Sequence, residues 1–421
     1  MSGALIELEV EVDAAPAVAR LREKCRLSIA PNGSQASIDL TLPLNERYES
    51  EAEAIRLFSP DEKRLFLKYR VDIDLETHRQ HMLKLVEQLY YLEGAESKRE
   101  FALAMRRDFL AQLHDEDVRA AFMPIATHGR NVFRRLFQDV EIFEGYSQSD
   151  KPLLLDVLRS AFGRENAIVV RTPMSLFPWA FLYDDGRLTF EDATTLELGR
   201  FWGFRHQIQE EVEGVAPRVS MTHSPRVVAA VCPQVDPQRV HNDEAFGSRD
   251  SLVIEVRTVG DKQDLLSILA SPFEHDCFYF CGHSFQDSPP VQATSAILFD
   301  GIKLTVDEID GKGGPQFLRN PVLAFFNGCE TSPVGSWSKE TLAGFLCHKG
   351  DSRVCAVTTT GKVPAALARA LGVQFWRRFL NKSASVGEAL QGARLTLLAK
   401  YGNPLGLLYT VLGRGDIRLE R

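Results

Sequence analysis

A series of short, continuously apolar runs in the second half of the sequence constrains the fold more than any other feature. From Ala167 onward these runs alternate with segments whose apolar residues recur at helical spacing. Strands that are apolar on both faces are typical of a parallel sheet covered by helices on both sides. The predicted strands lie at residues 227–231, 252–256, 277–281, 322–326, 354–357 and 407–412, and the predicted helices at 262–269, 340–347, 365–380 and 386–399. We therefore predict an α/β fold with a mostly parallel, six-stranded sheet flanked by helices.

The first 115 residues show a different pattern. Apolar and polar residues alternate at positions 5–12 and 36–42, on either side of the turn signal Pro31-Asn32-Gly33, which predicts short strands. Ser59-Pro60-Asp61-Glu62 has the character of a helix start, and helical spacing continues to about Phe137. We therefore expect an N-terminal module at residues 1–115, with a β-rich start followed by helices, and a second domain at residues 116–421.

The composition is that of a globular protein and argues against several classes of partner. Of the 421 residues, 44% are hydrophobic and 25% are charged, and the net charge is -8. Proteins that bind nucleic acid usually carry clustered Lys and Arg, which this sequence lacks, so we expect no direct nucleic-acid partner. The apolar runs are far shorter than the roughly 20 residues of a membrane span. The first twelve residues do not resemble a secretory signal, so we expect a cytoplasmic protein with no membrane partner.

The seven cysteines point to a reducing compartment. An odd number of cysteines scattered through apolar segments is typical of reduced thiols in a large intracellular protein. Because free cysteine is among the most frequently buried residue types, most of the seven are expected to be small core residues. They are Cys25, Cys232, Cys277, Cys281, Cys329, Cys347 and Cys355.

Two of the predicted strands end in chemically distinctive residues. The run 277–281 is followed by Gly282-His283, and the run 322–326 is followed by Asn327-Gly328-Cys329. In an open α/β sheet the functional site usually lies outside the carboxyl ends of the strands. If the two strands are neighbours, an imidazole and a thiol project from the same edge of the sheet. Each glycine lets the backbone bend sharply where the strand becomes a loop.

An imidazole beside a thiol is the minimum machinery for cleaving a peptide bond. The imidazole raises the thiolate fraction of the thiol and protonates the leaving amine. Cleavage also needs donors aimed at the developing oxyanion, and the backbone N–H groups of Ser284 and Cys329 are candidates for this role. We therefore predict a cysteine protease with His283 and Cys329 as its catalytic pair, and we expect neither a cofactor nor a metal.

Three alternatives fit the sequence less well. Cys277, Cys281 and His283 have strand spacing that would allow them to share one face as zinc ligands, but structural zinc usually needs four ligands in paired short spacings, and no second pair lies nearby. A serine hydrolase is weaker still, because no Gly-x-Ser-x-Gly motif precedes a helix. The third alternative is a latent or inactive scaffold or binding module that keeps the fold without the chemistry.

The sequence around this pair resembles the CHAT family, a group of caspase-like cysteine peptidases in the clan of caspases and separase. The likeness begins faintly near residues 129–137 and covers roughly the last 300 residues. Besides the two strand ends, it is carried by the segments 177–184, 386–390 with Ala393-Arg394, and 403–409. The resemblance implies the caspase-hemoglobinase fold, with His283 as the catalytic histidine and Cys329 as the nucleophile. Caspases carry the histidine about 50 residues before the cysteine, and here the separation is 46 residues (329 minus 283).

The sequence departs from the family pattern at positions that bear on specificity. Ser284 stands where family members often have Gly, and Val363-Pro364-Ala365, just after Lys362, stands where many have Val-Pro-Asp. In separase-like relatives an acidic residue in this region receives a basic side chain of the substrate, so cleavage after Arg or Lys is left open here. Asp287, Glu330 and Lys362 are the candidate substrate-binding residues, and a structural cap is an equal alternative for Glu330.

The resemblance also implies a regulated role. Many CHAT proteins join the protease to a sensing or docking module and act in bacterial defence or programmed cell death. We therefore expect a protein substrate and a sensor or activator protein as partners. By the same resemblance, residues 1–115 would hold the protease inactive, bind the sensor or recruit the substrate. The plainer alternative is that they only support the sheet.

Overall fold

The computed structural model describes the chain in segments, which are residues 24–32, 34–43, 58–59, 64–89, 115–162, 167–172, 177–184, 196–211, 225–232, 241–247, 255–258, 261–270, 276–286, 295–299, 302–305, 308, 323–328, 355–381 and 384–419. The strands are β1 Lys24–Asn32, β2 Gln35–Pro43, β3 Phe58–Ser59, β4 Arg64–Asp72, β5 Ala167–Arg171, β6 Gln207–Glu211, β7 Arg226–Val231, β8 Glu255–Thr258, β9 Cys277–Cys281, β10 His283–Gln286, β11 Ser295–Phe299, β12 Ile302–Thr305, β13 Leu323–Asn327, β14 Cys355–Thr359 and β15 Tyr409–Leu412. The α-helices are α1 Leu75–Gln88, α2 Asp115–Phe137, α3 Lys151–Phe162, α4 Trp202–Arg205, α5 His241–Phe246, α6 Lys262–Ala270, α7 Ala365–Asn381 and α8 Val386–Tyr401. Among these helices, none combines the length and hydropathy needed to cross a membrane.

A mixed sheet of twelve described strands runs through the molecule in the order β3-β4-β2-β1-β5-β6-β15-β14-β13-β9-β7-β8. Strands β8, β7, β9, β13 and β14 are parallel neighbours, and β15 is antiparallel to β14. These six strands occupy the positions predicted from the apolar runs. The predicted α/β fold, with a mostly parallel sheet flanked by helices, is therefore confirmed. A separate antiparallel sheet, β10-β11-β12, begins directly after β9.

The sheet has more strands than the six predicted. Strands β5 and β6 pair in parallel next to β15, and β1 pairs in parallel with β5 from Lys24 opposite Ala167 to Ser28 opposite Arg171. Strands β2, β4 and β3 then extend the sheet in antiparallel fashion. The ladder between β1 and β5 crosses the expected domain boundary at residues 115 and 116, and the boundary itself stays a prediction.

Residues 64–72 form a strand, so the prediction of a helix over this part of the chain is wrong. Buried and more exposed residues alternate strictly along β4, and all nine residues pair with β2. The period of two therefore outweighs the helix-start signal at residues 59–62. Helical structure begins with α1, where the carboxylate of Asp74 accepts a hydrogen bond from the backbone N–H of Thr77 at 3.1 Å. The predicted strand at residues 5–12, the helix at 340–347 and the start of the strand at 252–256 lie outside the described residues.

Helix α8 fixes the segment that leads into β15. A capping box begins the helix, in which Ser385 and Glu388 each accept a hydrogen bond from the other's backbone N–H. Gly402 ends it with a φ of 63°, a left-handed conformation that favours glycine. The buried guanidinium of Arg394 reaches from α8 to three backbone carbonyls, those of Gly203, Gly406 and Tyr409.

Candidate active site

Strands β9 and β13 are parallel neighbours and end at the same edge of the sheet. At their carboxyl ends Asn327 lies opposite Cys281. The chain then continues into Gly282 on one strand and Gly328 on the other, and the backbone N–H of Gly282 donates to the carbonyl of Asn327 at 3.2 Å. The structure thus brings together the two strand ends that the sequence singled out.

Gly282 is packed so closely that a larger residue would displace its neighbours. A Cβ atom at this position would overlap the Sγ atom of Cys232 and lie 2.8 Å from the Cζ atom of Phe280. Cys232 is itself held in place, because its backbone N–H donates to the carbonyl of Cys281 at 2.8 Å. Close packing therefore favours a glycine in the turn that leads to His283.

Two buried threonines form hydrogen bonds beside the turn at Gly328, which follows β13. The hydroxyl of Thr359, the last residue of β14, donates to the carbonyl of Gly328. The hydroxyl of Thr360 donates to the carbonyl of Leu408 at 3.0 Å. Both threonines are buried. The edge of the sheet beside the turn is therefore joined through β14 to the segment that leads into β15.

A network of buried polar side chains lies behind the end of β13. The Oδ1 atom of Asn327 accepts a hydrogen bond from the hydroxyl of Tyr409 at 2.6 Å, and its Nδ2 atom donates to the hydroxyl of Tyr279 at 3.1 Å and to the carbonyl of Ala368 at 2.6 Å. The hydroxyl of Tyr279 also forms a hydrogen bond of 2.6 Å with Nε2 of His241. Burial raises the pKa of Tyr279 well above its ordinary value, which keeps the phenol neutral. The sequence did not predict this network.

His283, the predicted catalytic histidine, and Ser284, the predicted oxyanion donor beside it, begin strand β10. His283 lies opposite Leu298, and Ser284 lies opposite Ile297 of β11. Ser284 is therefore part of a strand, whereas the sequence suggested a tight turn. Its role as an oxyanion donor stays a prediction.

The remaining predicted site residues fall into two groups. Lys362 is exposed on the short segment between β14 and α7. Cys329, Asp287 and Glu330 lie outside the described residues. The contact between the imidazole and the thiol, the oxyanion role of the Cys329 backbone and the three substrate-binding assignments accordingly stay predictions.

The described cysteines are buried thiols, namely Cys25, Cys232, Cys277, Cys281 and Cys355. Burial raises the pKa of the Cys277 thiol, which keeps it protonated at neutral pH. Within the described segments, no group of three or more His, Cys, Asp or Glu side chains is arranged to hold a metal ion.

Comparisons with known proteins point to one family. The family model for the CHAT domain matches residues 146–403, more than half of the chain. A probable protease of Vitiosangium sp. (strain GDMCC 1.1324) is 25% identical over 249 residues, which cover 54% of this chain and 31% of that protein. The chain therefore spans less than a third of the length of that relative.

Two solved structures match the chain at low sequence identity and low TM-score. The crystal structure of the Arg-specific cysteine proteinase gingipain R is 11% identical, with a TM-score of 0.41, over 77% of this chain and 76% of that one. The Saccharomyces cerevisiae separase–securin complex is 10% identical, with a TM-score of 0.43, over 94% of this chain and 30% of that one.

Proposed function

The chain belongs to the CHAT domain family of caspase-like cysteine peptidases, and from this premise we propose that it is an endopeptidase that cleaves a protein substrate with His283 and Cys329. His283 is the general base and acid, and Cys329 is the nucleophile. The family match includes both residues.

The hydrogen bond between the two strand ends carries this proposal. The donor, Gly282, directly precedes His283, and the acceptor, Asn327, lies two residues before Cys329. Neighbouring strands are about 4.8 Å apart. Two side chains that leave adjacent strands just beyond such a contact are within reach of each other. The arrangement therefore supports an imidazole–thiol pair at this edge.

The proposed reaction runs in two steps. The imidazole of His283 takes the proton of the Cys329 thiol, and the thiolate attacks the carbonyl carbon of the scissile peptide. The oxyanion is stabilised by the backbone N–H groups of Ser284 and Cys329. The C–N bond then breaks, the leaving amine receives the proton from the imidazole, and a thioester remains on the sulfur. Water, deprotonated by the same imidazole, hydrolyses the thioester and regenerates the thiol.

The three predicted substrate-binding residues follow the candidate edge of the sheet in sequence. Lys362 follows β14, the strand next to β13, and Asp287 and Glu330 follow the two catalytic positions in sequence. We assign these three residues to substrate binding.

The family membership suggests the biological setting. In this proposal a sensor or activator protein switches the protease on in bacterial defence or programmed cell death.

The experiment compares cleavage of candidate protein substrates by the wild-type chain and by two variants. We expect Cys329→Ala and His283→Ala each to abolish the cleavage seen with the wild type. Mass spectrometry of the products maps the cut site and hence the residue before it. Cys355→Ala is the matched control, because Cys355 is a buried thiol at the start of β14, the opposite end from the candidate site, and its loss should leave the cut site unchanged.

Undiminished cleavage by either catalytic variant would exclude the proposed pair. A wild-type chain that binds the substrate and an activator but never cleaves would favour the scaffold alternative.

A further inference from the structure

Asn327 holds the end of β13 from three directions. Its side chain is fully buried. The amide bonds one group on each of three neighbouring elements, which are Tyr409 on β15, Tyr279 on β9 and Ala368 on α7. Because both the oxygen and the nitrogen of the amide are engaged, the side chain is restricted to one orientation. The strand end cannot rotate or slide without breaking these hydrogen bonds.

The space around this amide is filled. Gly372 of α7 lies so close that a Cβ atom there would sit 2.9 Å from Nδ2 of Asn327 and even closer to the hydroxyl of Tyr279. His241 of α5 also stacks on the ring of Tyr279, with the centroids 5.6 Å apart and an interplanar angle of 29°. Packing therefore limits the movement of the amide in addition to its hydrogen bonds.

The place of the amide along the strand connects it with the chemistry. Residues 323–326 are apolar and buried, so hydrophobic packing holds the strand up to its last residue. Replacing a buried hydrogen-bonded pair by apolar groups of the same shape can be nearly neutral for stability. Hydrogen bonds, unlike apolar contacts, fix a direction. An amide at the last residue of β13 is therefore suited to orienting the backbone that continues through Gly328 toward Cys329.

We propose that Asn327 is a positioning residue of the protease. Its amide, held by Tyr279 and Tyr409, aims the turn that begins at Gly328. In this way the thiol two residues further on meets the imidazole of His283. The inference rests on the proposed function and assigns Asn327 no contact with the substrate.

The test measures the reactivity of the Cys329 thiol directly. The full chain is treated with iodoacetamide at a series of pH values, and mass spectrometry of the peptide that contains Cys329 gives the alkylation rate. An ordinary thiol has a pKa of about 8.5, and a thiol paired with an imidazole titrates lower. We expect the wild-type thiol to titrate below about 8.5 and His283→Ala to return it toward that value.

Asn327→Leu keeps the branched shape of the side chain and removes its hydrogen bonds. We expect it to shift the Cys329 profile in the same direction as His283→Ala and to slow alkylation at pH 7 about 10-fold. With a cleavable substrate, kcat should fall roughly 10- to 100-fold while KM stays within about twofold. The double variant Asn327→Leu/Tyr409→Phe removes both partners of one hydrogen bond, which recovers stability, and should show the same shifted profile.

Asn403 provides the matched control, because it is an equally buried amide whose Oδ1 accepts a hydrogen bond from the backbone N–H of Leu405. Asn403→Leu should lower the melting temperature and leave the Cys329 profile unchanged. If His283→Ala shifts the profile and folded Asn327 variants do not, the inference is overturned and the catalytic pair stands. If His283→Ala itself leaves the profile unchanged, the catalytic pair is wrong, and the inference falls with it.

Discussion

At the scale of single residues, the candidate site depends on close contacts behind the two strand ends. Gly282→Ala would place a Cβ atom against the sulfur of Cys232 and the ring of Phe280. Overpacking of this kind costs about 1–3 kcal/mol. We expect the variant to lose that much free energy of unfolding in urea denaturation. It should also cleave more slowly, because the displaced backbone leads directly to His283.

A second substitution and a control make this expectation specific. Cys232→Ala removes the sulfur that the new Cβ atom would meet, so adding it to Gly282→Ala should recover part of the lost stability. At Gly199 a Cβ atom would have no neighbour within 4 Å. Gly199→Ala should therefore stay within about 0.5 kcal/mol of the wild type. Equal losses from the two alanine substitutions would contradict the packing argument.

Local sequence patterns reveal the strand ends but not the side chains behind them. His283 and Cys329 stand out because each follows an apolar run and a glycine, and both signals lie within a few residues. The network around Asn327 joins residues far apart in the chain, such as Tyr279, 48 residues away, and Tyr409, 82 residues away. Such contacts depend on which strands become neighbours. For this reason no pattern in the sequence predicted them.

At the scale of the elements, the buried guanidinium of Arg394 connects α8 to neighbouring segments of the chain. The guanidinium of Arg394 donates to Gly406 at 3.1 Å, to Gly203 at 2.9 Å and also to Tyr409, in each case to the backbone carbonyl. Burial lowers its pKa to about 9, so it remains charged at neutral pH. We expect Arg394→Met to lower the free energy of unfolding by roughly 3–5 kcal/mol, because buried carbonyls lose their donor.

The comparison for this variant is Arg414→Met, measured by the same denaturant titration. Arg414 forms a partly exposed ion pair with Asp416 at 2.7 Å. Removing a pair of this kind should cost less than about 1 kcal/mol. A similar loss of unfolding free energy in both variants would contradict this expectation. It would mean that the hydrogen bonds of Arg394 to the three carbonyls add nothing beyond the loss of one charge.

Elements with a strong period were predictable, and those with a short or conflicting pattern were not. The apolar run 277–281 matches β9 residue for residue, and helix α7 ends one residue beyond its prediction. Strand β6 reads Gln-Ile-Gln-Glu-Glu and has a single apolar residue, although its three central residues are buried. Its burial comes from its neighbours in the sheet, and such context is absent from a local window of sequence.

At the scale of the whole molecule, the sheet joins the N-terminal strands to the part that carries the candidate site. Leu27 on β1 is fully buried and lies opposite Val170 of β5. Leu27→Asp would bury an unpaired carboxylate, and we expect it to cost about 3 kcal/mol or more. All four tryptophans lie beyond residue 115. Their fluorescence during thermal unfolding therefore reports on the second predicted domain alone. In Leu27→Asp the midpoint of this fluorescence transition should fall.

Arg26→Asp is the matched control, since Arg26 is the neighbouring residue on the same strand and is exposed. It should leave the midpoint nearly unchanged. A tryptophan midpoint that Leu27→Asp does not move would mean that residues 1–115 unfold independently. The apolar runs predicted the parallel half of the sheet, whereas the place of β1 beside β5 depends on a pairing that no local pattern encodes.

The pairing of β9 with β13 determines where related chains can tolerate inserted residues. Five pairs, from Leu323 opposite Cys277 to Asn327 opposite Cys281, set how far each strand runs before its turn. One residue inserted within either strand would shift that turn by about 3.3 Å and reverse the side chains between faces. Residues inserted between β12 and β13 leave these five pairs unchanged, and lengthening a connection costs little free energy. Related chains should therefore vary freely in the 46-residue interval between His283 and Cys329, while the lengths of the two strands stay constant.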